Sequence, residues 1–434
     1  MTIRDPNTLI IREYDQFAVG SRWNTVTKTI SEKEIAAIAS YQAKIGTELI
    51  EIGYRSGRAT NWVGTLGVGD KMIEVIPKVD SSDGELSDAR TRENLLHMLA
   101  MAGDVLLSPA DITRMVHSGK PLLSAFLNLY VHNLAREWRK GAIKNYVSQE
   151  ENRTYLRGKL LFREQLRDNL IQQQRFYTSC DEFIDDNRVA RLLKAALEQC
   201  CRQRLCADVA RNAKNLLPDF ENVSLVKYCR DELQSIKVDR QIRRFEPLVG
   251  LAKIILCSGS PLSSSSGDLV YSLMFDMNEV FERYIAAELT QALAGTNCTV
   301  KAQVRGKSLL HQNGNQRFQL RPDLGVFLEG KAVCLLDTKW KRLDPEKPYE
   351  SVSQADMYQM YAYGKEFDSP LTVLVYPRHT NLPCVVSAYN HNPATAADAL
   401  QKRIVVSTID VSSQLGLFMN QRQVQADLAT LVNA

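Results

Sequence analysis

Two aspartates and one lysine stand close to a predicted β-hairpin in the last third of the chain. The first strand is indicated by apolar residues between 320 and 328, and Asp323 falls within it. Asp337 ends the apolar run of the second strand. Lys339 follows two positions later. A short turn around Gly330, where glycine adopts a positive φ at no steric cost, joins the strands. Two carboxylates and an ammonium group in this arrangement are suited to metal-dependent hydrolysis.

The turn predicts which side chains meet. If the hairpin folds about Gly330, Asp323 faces Asp337, and strand alternation places Lys339 on the same face as Asp337. Two buried carboxylates repel each other and lose hydration unless a cation joins them, so a divalent ion with oxygen ligands is the natural partner. A solvated Asp323 beside a simple Asp337–Lys339 surface pair is the alternative, and the apolar run before Asp337 argues against it.

A helix predicted over about 270–293 offers a further carboxylate. Its apolar stripe includes Met277, Phe281 and Ile285, and Glu282 lies at the margin of that stripe. Glu282 is therefore a candidate third metal ligand; a surface glutamate on an amphipathic helix is the alternative. The ions expected at Asp323, Asp337 and Glu282 are one or two Mg²⁺, or Mn²⁺ in their place.

A second helix, predicted to begin near Ser351 or Ser353 and to end at Gly364, follows the hairpin. Gln359 and Tyr363 are four residues apart on it and share one face. An amide and a phenol there can hold a phosphate, the attacking water or Lys339. The candidate catalytic residues are therefore Asp323, Asp337, Lys339, Gln359 and Tyr363.

Three cations that follow the hairpin directly, Lys341, Arg342 and Lys347, are predicted to bind flanking phosphates. The whole chain is only mildly basic, with a net charge of +4 and a pI near 8.5, which is compatible with a phosphate-bearing partner. Base-specific contacts have no visible signature.

Several classes of protein are disfavoured by the 434-residue sequence. Neither GxGxxG nor GxxxxGK[ST] occurs, so no nucleotide is expected to bind to this chain itself. The nine cysteines include no CxxC pair, which argues against a zinc ribbon or an iron–sulfur cluster and favours reduced thiols in the cytoplasm. No apolar stretch approaches the roughly 18–20 residues of a membrane span, and the N-terminus lacks the apolar region of a secretory signal.

The predicted fold class is mixed α/β, in three domains. Residues 1–80 are predicted to form a β-rich N-terminal domain, and residues 81–257 a helical middle region. Residues 268–434 are predicted to form a mixed sheet flanked by helices. Polar residues at 81–88 and 258–267 are expected to be a linker and a loop.

Taken together, these motifs resemble the PD-(D/E)xK nucleases with the Q-x-x-x-Y extension of the RecB-like branch. More narrowly, the chain resembles the McrC family, the nuclease subunits of McrBC modification-dependent restriction systems. The resemblance rests on stretches spread over most of the chain, of which DTKWK and DMYQMYAYG are specific. These stretches are IEVIPKV (73–79), TYLRGKL (154–160), DEFIDDNRVARLLKAAL (181–197), FDMNEVFERYI (275–285), LRPDLGVF (320–327), LLDTKWKRL (335–343) and DMYQMYAYG (356–364).

The resemblance implies an N-terminal region that docks on a hexameric AAA+ GTPase resembling McrB and stimulates it. It also implies a C-terminal Mg²⁺-dependent endonuclease that cuts double-stranded, methylated DNA in antiphage defence. Two alternatives stay open: a stand-alone RecB-like exonuclease, and a non-catalytic regulatory or DNA-binding subunit. The long N-terminal half without chemistry disfavours the first, and the intact set of Asp323, Asp337 and Lys339 disfavours the second.

Overall fold

A computed structural model describes residues 6–78, 88–258, 270–344, 346–347, 351–378, 382–391 and 402–411. Most of the predicted linker and loop, residues 81–87 and 259–267, lies outside the described residues. The chain divides into two compact units, one of residues 1–122 together with 263–434, the other of residues 123–262. In the part that the structure describes, no helix is long and apolar enough to cross a membrane.

The first 122 residues begin with short strands around one helix and continue with two further helices. The N-terminal helix begins after Ser31 and ends at Gly46, whose φ of 67° provides the left-handed cap. The chain turns between β1 and β2 at Tyr14, which has a φ of 62°. The elements are β1 (Thr8–Arg12), β2 (Gln16–Gly20), β3 (Thr29–Ser31), α1 (Glu32–Ile45), β4 (Ile50–Ile52), β5 (Ser56–Ala59), β6 (Trp62–Val68), β7 (Lys71–Ile76), α2 (Asp88–Met101) and α3 (Pro109–His117).

The unit of residues 123–262 contains helices, as predicted, and also a sheet that the sequence analysis did not predict. Nine residue pairs join its two long strands, from Phe176 opposite Arg153 to Ile184 opposite Asn145. The predicted helical middle region thus also contains strands, which were not visible because the strand 145–153 has no apolar alternation and is stabilised by its partner strand. The elements are α4 (Leu122–Arg139), β8 (Asn145–Arg153), β9 (Lys159–Leu160), α5 (Phe162–Asp168), β10 (Phe176–Ile184), α6 (Arg188–Cys201), α7 (Ala207–Leu216), α8 (Arg230–Ser235) and α9 (Glu246–Ser258).

The C-terminal part is built on a six-stranded mixed sheet in the order β12-β15-β16-β17-β19-β18. Strands β16, β17 and β19 run parallel, whereas β12, β15 and β16 are joined by antiparallel pairing. The mixed α/β class is therefore as predicted. The elements are β11 (Val270–Asp276), α10 (Met277–Ala292), β12 (Cys298–Ala302), β13 (Lys307–Gln312), β14 (Asn315–Leu320), β15 (Leu324–Leu328), β16 (Lys331–Thr338), α11 (Gln354–Glu366), β17 (Leu371–Pro377), β18 (Val385–Asn390) and β19 (Arg403–Ile409).

The helix predicted over 270–293 is in fact a strand followed by a helix. Residues 270–276 form β11, which pairs antiparallel with β6 and completes the sheet β1-β7-β6-β11. The helix α10 begins only at Met277. Asp276 caps its N-terminus, because the Asp276 side chain accepts a hydrogen bond from the Asn278 amide. The pairing of β11 with β6 also joins the predicted first and third domains in one unit. The division into two units therefore differs from the three predicted domains: α2 and α3 lie in the first unit, where Arg92 of α2 bonds Glu74 of β7.

Candidate active site

The predicted hairpin is formed by β15 and β16, with a two-residue turn at Glu329 and Gly330. Both turn residues have positive φ, 51° and 82°, which is the conformation of a tight hairpin turn. Near the turn Leu328 pairs with Lys331, but a bulge then shifts the pairing so that Leu324 lies opposite Leu336. The next positions outward are Asp323 and Asp337, so the two carboxylates come to the same end of the hairpin.

Asp337 is almost completely buried, with 2% of its surface exposed, because β16 lies between β15 and β17 in the sheet. The Lys339 ammonium lies 2.7 Å from Asp337 Oδ2 and 3.6 Å from Asp356 Oδ1. Burial, and then the charge of Asp323, raise the pKa of Asp337 to about 6. Burial lowers the pKa of Lys339, but the carboxylates of Asp337 and Asp356 outweigh it and the pKa is raised. Lys339 therefore carries a proton at neutral pH, beside a carboxylate that ionises only at a higher pH than an ordinary aspartate does.

Asp323 is held at the hairpin end by the residue between Asp337 and Lys339. Its Oδ2 accepts hydrogen bonds from the Thr338 amide at 2.8 Å and from the Thr338 hydroxyl at 2.9 Å. The Thr338 hydroxyl thus fixes the first carboxylate, while its neighbours in the chain form the Asp337–Lys339 pair. This contact of Thr338 was not predicted from the sequence.

Glu282 of α10 is half-buried and is engaged by Gln303, whose side-chain amide donates to Glu282 Oε1. The backbone amide of Gln303 donates to the Asp323 carbonyl at 2.6 Å. Burial, and in addition the charge of Asp323, raise the pKa of Glu282. Glu282 therefore lies near Asp323 and is not the freely solvated residue of the alternative interpretation. Gln303 was missed because it follows a strand in a loop, where no periodicity marks it.

The helix α11 turns the predicted Gln359–Tyr363 face toward the end of β16. The Gln359 side-chain amide donates to the Tyr363 hydroxyl at 2.5 Å and lies 3.4 Å from Asp337 Oδ1. Burial raises the pKa of Tyr363 to about 12, so this phenol is protonated and can donate a hydrogen bond. The two residues can thus position Asp337.

The residue after Lys339 points into the protein. The indole of Trp340 packs on Phe281 with ring centroids 5.3 Å apart and donates to both oxygens of Glu13 at 3.0 Å. The Lys78 amide also donates to Glu13, at 2.9 Å, and burial raises the pKa of Glu13 to about 8. The predicted phosphate-binding residues Lys341, Arg342 and Lys347 are exposed beyond this anchor.

The predicted metal ligands are near one another but do not converge on one point. Within the described residues, no three His, Cys, Asp or Glu side chains stand close enough to form a metal site. The negative charge of Asp323 nevertheless raises the pKa of both Asp337 and Glu282. Asp323 therefore lies close enough to repel both of the other carboxylates. A set of hard oxygen donors with this repulsion fits a divalent cation such as Mg²⁺.

Comparison with known proteins gives a family and a fold. The family described as McrBC 5-methylcytosine restriction system component matches residues 57–377. A Thermococcus gammatolerans structure of McrB AAA+ hexamers with bound McrC, a half-complex from a tetradecameric assembly, matches at 18% identity and a TM-score of 0.71, over 98% of this chain and 99% of that chain. A cryo-EM structure of the Thermococcus gammatolerans McrBC complex matches at 21% identity and a TM-score of 0.51, over 66% of this chain and 88% of that chain.

No protein of curated function matches the chain. At these identities the two solved structures support the fold, and the family rests on the sequence match. Since that match covers well over half of the 434 residues, this protein belongs to the family of McrBC 5-methylcytosine restriction system components.

Proposed function

We propose that this chain is the endonuclease subunit of a GTP-dependent, modification-dependent restriction complex. It hydrolyses DNA phosphodiester bonds with Mg²⁺ at the PD-(D/E)xK site formed by Asp323, Asp337 and Lys339. The observation that carries the proposal is the buried Asp337, paired at 2.7 Å with Lys339 and placed beside Asp323 at one end of the hairpin. A buried carboxylate beside a second carboxylate and a protonated lysine is costly to maintain unless a ligand uses it.

The residues of the site have separate roles in this proposal. Asp337 and Asp323 would hold the metal, with Glu282 as a further ligand. When bound, a divalent ion lowers the pKa of a water molecule and offsets charge on the scissile phosphate. The Lys339 ammonium orients the attacking water and donates to the negative charge that develops on the phosphate. Gln359 of α11 contacts Asp337 and is itself bonded to Tyr363, and Thr338 holds Asp323.

A partner GTPase belongs to the proposal because neither GxGxxG nor GxxxxGK[ST] occurs in the sequence, so GTP would be hydrolysed by another chain. We propose an AAA+ hexamer resembling McrB, since the solved structure similar over nearly the whole chain has McrC bound to McrB hexamers. The unit of residues 123–262 supports a partner surface, because α5 and the residues flanking it expose several large apolar side chains. These are Tyr155, Leu156, Phe162, Leu166, Leu170 and Ile171.

Cleavage of a methylated duplex by the chain, with and without the GTPase partner, GTP and Mg²⁺, tests the function. We expect efficient cutting only with all components, and strong GTP-independent cutting by the chain alone would contradict the proposal. Partner contact is tested by GTP turnover with Ile171→Asp, which alters a side chain that is 94% exposed. Val26→Asp is the matched variant, because Val26 is 89% exposed and lies in the predicted docking region 1–80. If Val26→Asp abolishes stimulation of the GTPase and Ile171→Asp does not, docking belongs to residues 1–80.

A further inference from the structure

The segment that leads into Asp323 has an unusual charge. No aspartate or glutamate occurs from residue 289 to residue 322, although the whole chain contains 54 cationic and 50 acidic residues. All cations of the segment are exposed, so they face solvent next to the candidate active site. These cations are Lys301, Arg305, Lys307, Arg317 and Arg321. A long acid-free surface of this kind attracts a polyanion.

Much of the segment forms an exposed two-stranded ribbon, β13 and β14, which make a sheet of their own among the described residues. The pairing runs from Lys307 opposite Leu320 to Gln312 opposite Asn315, and Asn313 and Gly314 with positive φ close the turn. Every residue from 309 to 319 is exposed. The ribbon is therefore built to be reached by a partner and contributes little to a core.

The ribbon presents side chains that can contact base edges. Amides bind adenine through paired donor and acceptor groups, arginine binds guanine in the same bidentate manner, and an apolar side chain can contact the methyl group of thymine. Arg317 and Phe318 are exposed on β14, and Phe318 retains 71% of its surface. The amides of the ribbon are Gln312, Asn313, Asn315, Gln316 and Gln319.

The base of the ribbon is attached to the candidate active site. Strand β14 continues through Arg321 and Pro322 directly into Asp323, and the Val304 amide donates to the Pro322 carbonyl at 2.9 Å. Gln303, just before the ribbon, bonds both Glu282 and the backbone of Asp323. A molecule bound to the ribbon is thus held at a fixed place relative to the carboxylates.

A cavity of about 600 Å³ lies at the base of the ribbon and is cationic. Lys301, Arg305, Lys307 and Lys331 line it together with Gln303. The acid that also lines it, Asp368, is paired with the Lys402 ammonium at 2.6 Å, so its charge is balanced. The cavity suits the phosphates of a backbone that passes the ribbon.

We propose that the ribbon Lys307–Leu320 binds double-stranded DNA by entering its major groove, while the cationic cavity at its base holds the adjacent phosphates. A major groove of about 12 Å width admits a two-stranded β-ribbon. The inference rests on the proposed function, because the bound duplex is the one presented to Asp323 and Asp337. It assigns a DNA contact to the nuclease-bearing unit itself.

The test is duplex binding by the full chain in EDTA, measured by fluorescence anisotropy at several salt concentrations. Two variants address the two parts of the surface: Arg305→Gln/Lys307→Gln for phosphates and Gln316→Ala/Arg317→Gln for bases. The first should weaken binding and make the slope of log affinity against log salt shallower by about 2. The second should also weaken binding, but it should change the slope by only about 1, because Arg317 is the one charge removed. Arg22→Gln/Arg55→Gln, which removes two exposed cations elsewhere, is the matched control and should bind as wild type does.

Thermal melting of each variant establishes that the fold is kept. Wild-type affinity and salt slope in both ribbon variants would overturn the proposal, and so would stronger binding of wild type to single-stranded than to double-stranded DNA. A wild-type chain that does not bind duplex DNA overturns it as well. Because the assay contains no Mg²⁺ and no partner, its outcome is independent of cleavage: a chain that binds through the ribbon but never cuts would refute only the proposed function.

Discussion

Asp337→Asn is the most informative single change in the site, because it removes a charge and keeps nearly the same volume. Asp337 is buried, and its pKa is raised from 3.8 to about 6 by burial and by Asp323. The folded chain therefore keeps a proton that the unfolded chain releases between those pH values, so the free energy of unfolding falls as the pH rises through that range. Asparagine resembles the neutral acid and avoids this loss.

The magnitude follows from the size of the pKa shift. A shift of roughly 2 pKa units corresponds to about 3 kcal/mol, and this is the upper limit of the gain expected from Asp337→Asn above pH 6 without metal. Near pH 4 or below, both chains carry a neutral side chain at this position and the gain should vanish. Asp337→Ala removes the same charge but leaves a cavity, which offsets part of the gain.

Urea unfolding of wild type and Asp337→Asn in EDTA at pH 4 and pH 8 measures the stability, and cleavage with Mg²⁺ and the partner measures the function. We expect a variant that is more stable at pH 8, gains no stability from Mg²⁺ and does not cut, while partner GTP turnover continues. A variant that is less stable than wild type at pH 8 in EDTA would refute the electrostatic reasoning. Cleavage near the wild-type rate would show that residues 323–339 are not the active site.

Three further predictions concern the residues around Asp337. Lys339→Gln should abolish cleavage but preserve stabilisation by Mg²⁺, because Lys339 acts on water and phosphate; loss of the metal-dependent shift in unfolding midpoint would instead make it part of the metal site. Gln359→Ala should reduce the cleavage rate about 10–100-fold with the fold intact, as is common for residues that orient a ligand; full activity would place Gln359 outside the site. Glu13, with a pKa raised to about 8, should make the free energy of unfolding fall as the pH rises from 4.5 to 8, by at most about 1.4 kcal/mol per pH unit. Glu13→Gln should reduce this slope above pH 6, and an unchanged slope in urea unfolding would show that Glu13 is ionised when buried.

The register of the hairpin could be predicted from the sequence, although the physical route differs from the expected one. Folding about Gly330 alone would place Asp323 opposite Asp337. In the structure the turn is centred between Glu329 and Gly330, and a bulge in β16 restores the expected pairing by adding one residue. The apolar run and the glycine were therefore sufficient to predict the end of the hairpin, whereas the bulge, which depends on packing between strands, was not visible.

Other features depend on partners that are far away in the sequence. Residues 270–276 match a helical stripe as well as a strand, and only pairing with β6 decides for the strand. Glu13 and Trp340 are 327 positions apart, so no local pattern predicts that they meet. Gln303 and Asp356 were likewise not predicted as members of the site. Gln303 belongs to it because it contacts Glu282, and Asp356 because it contacts Lys339, and neither contact has a local pattern in the sequence.

The position of the site in the sheet explains why its chemistry and its stability oppose each other. Strand β16 pairs antiparallel with β15 and parallel with β17, so its end is enclosed and Asp337 is buried. The same enclosure that raises the pKa of Asp337 strengthens its attraction to Lys339 and to any cation bound there. Trp340 then leaves the strand end and is fixed by Glu13 of the N-terminal part of the same unit. The chain that follows the Asp337–Lys339 pair is thus anchored to the residue directly after β1, which fixes the end of β16 against the N-terminal part of the unit.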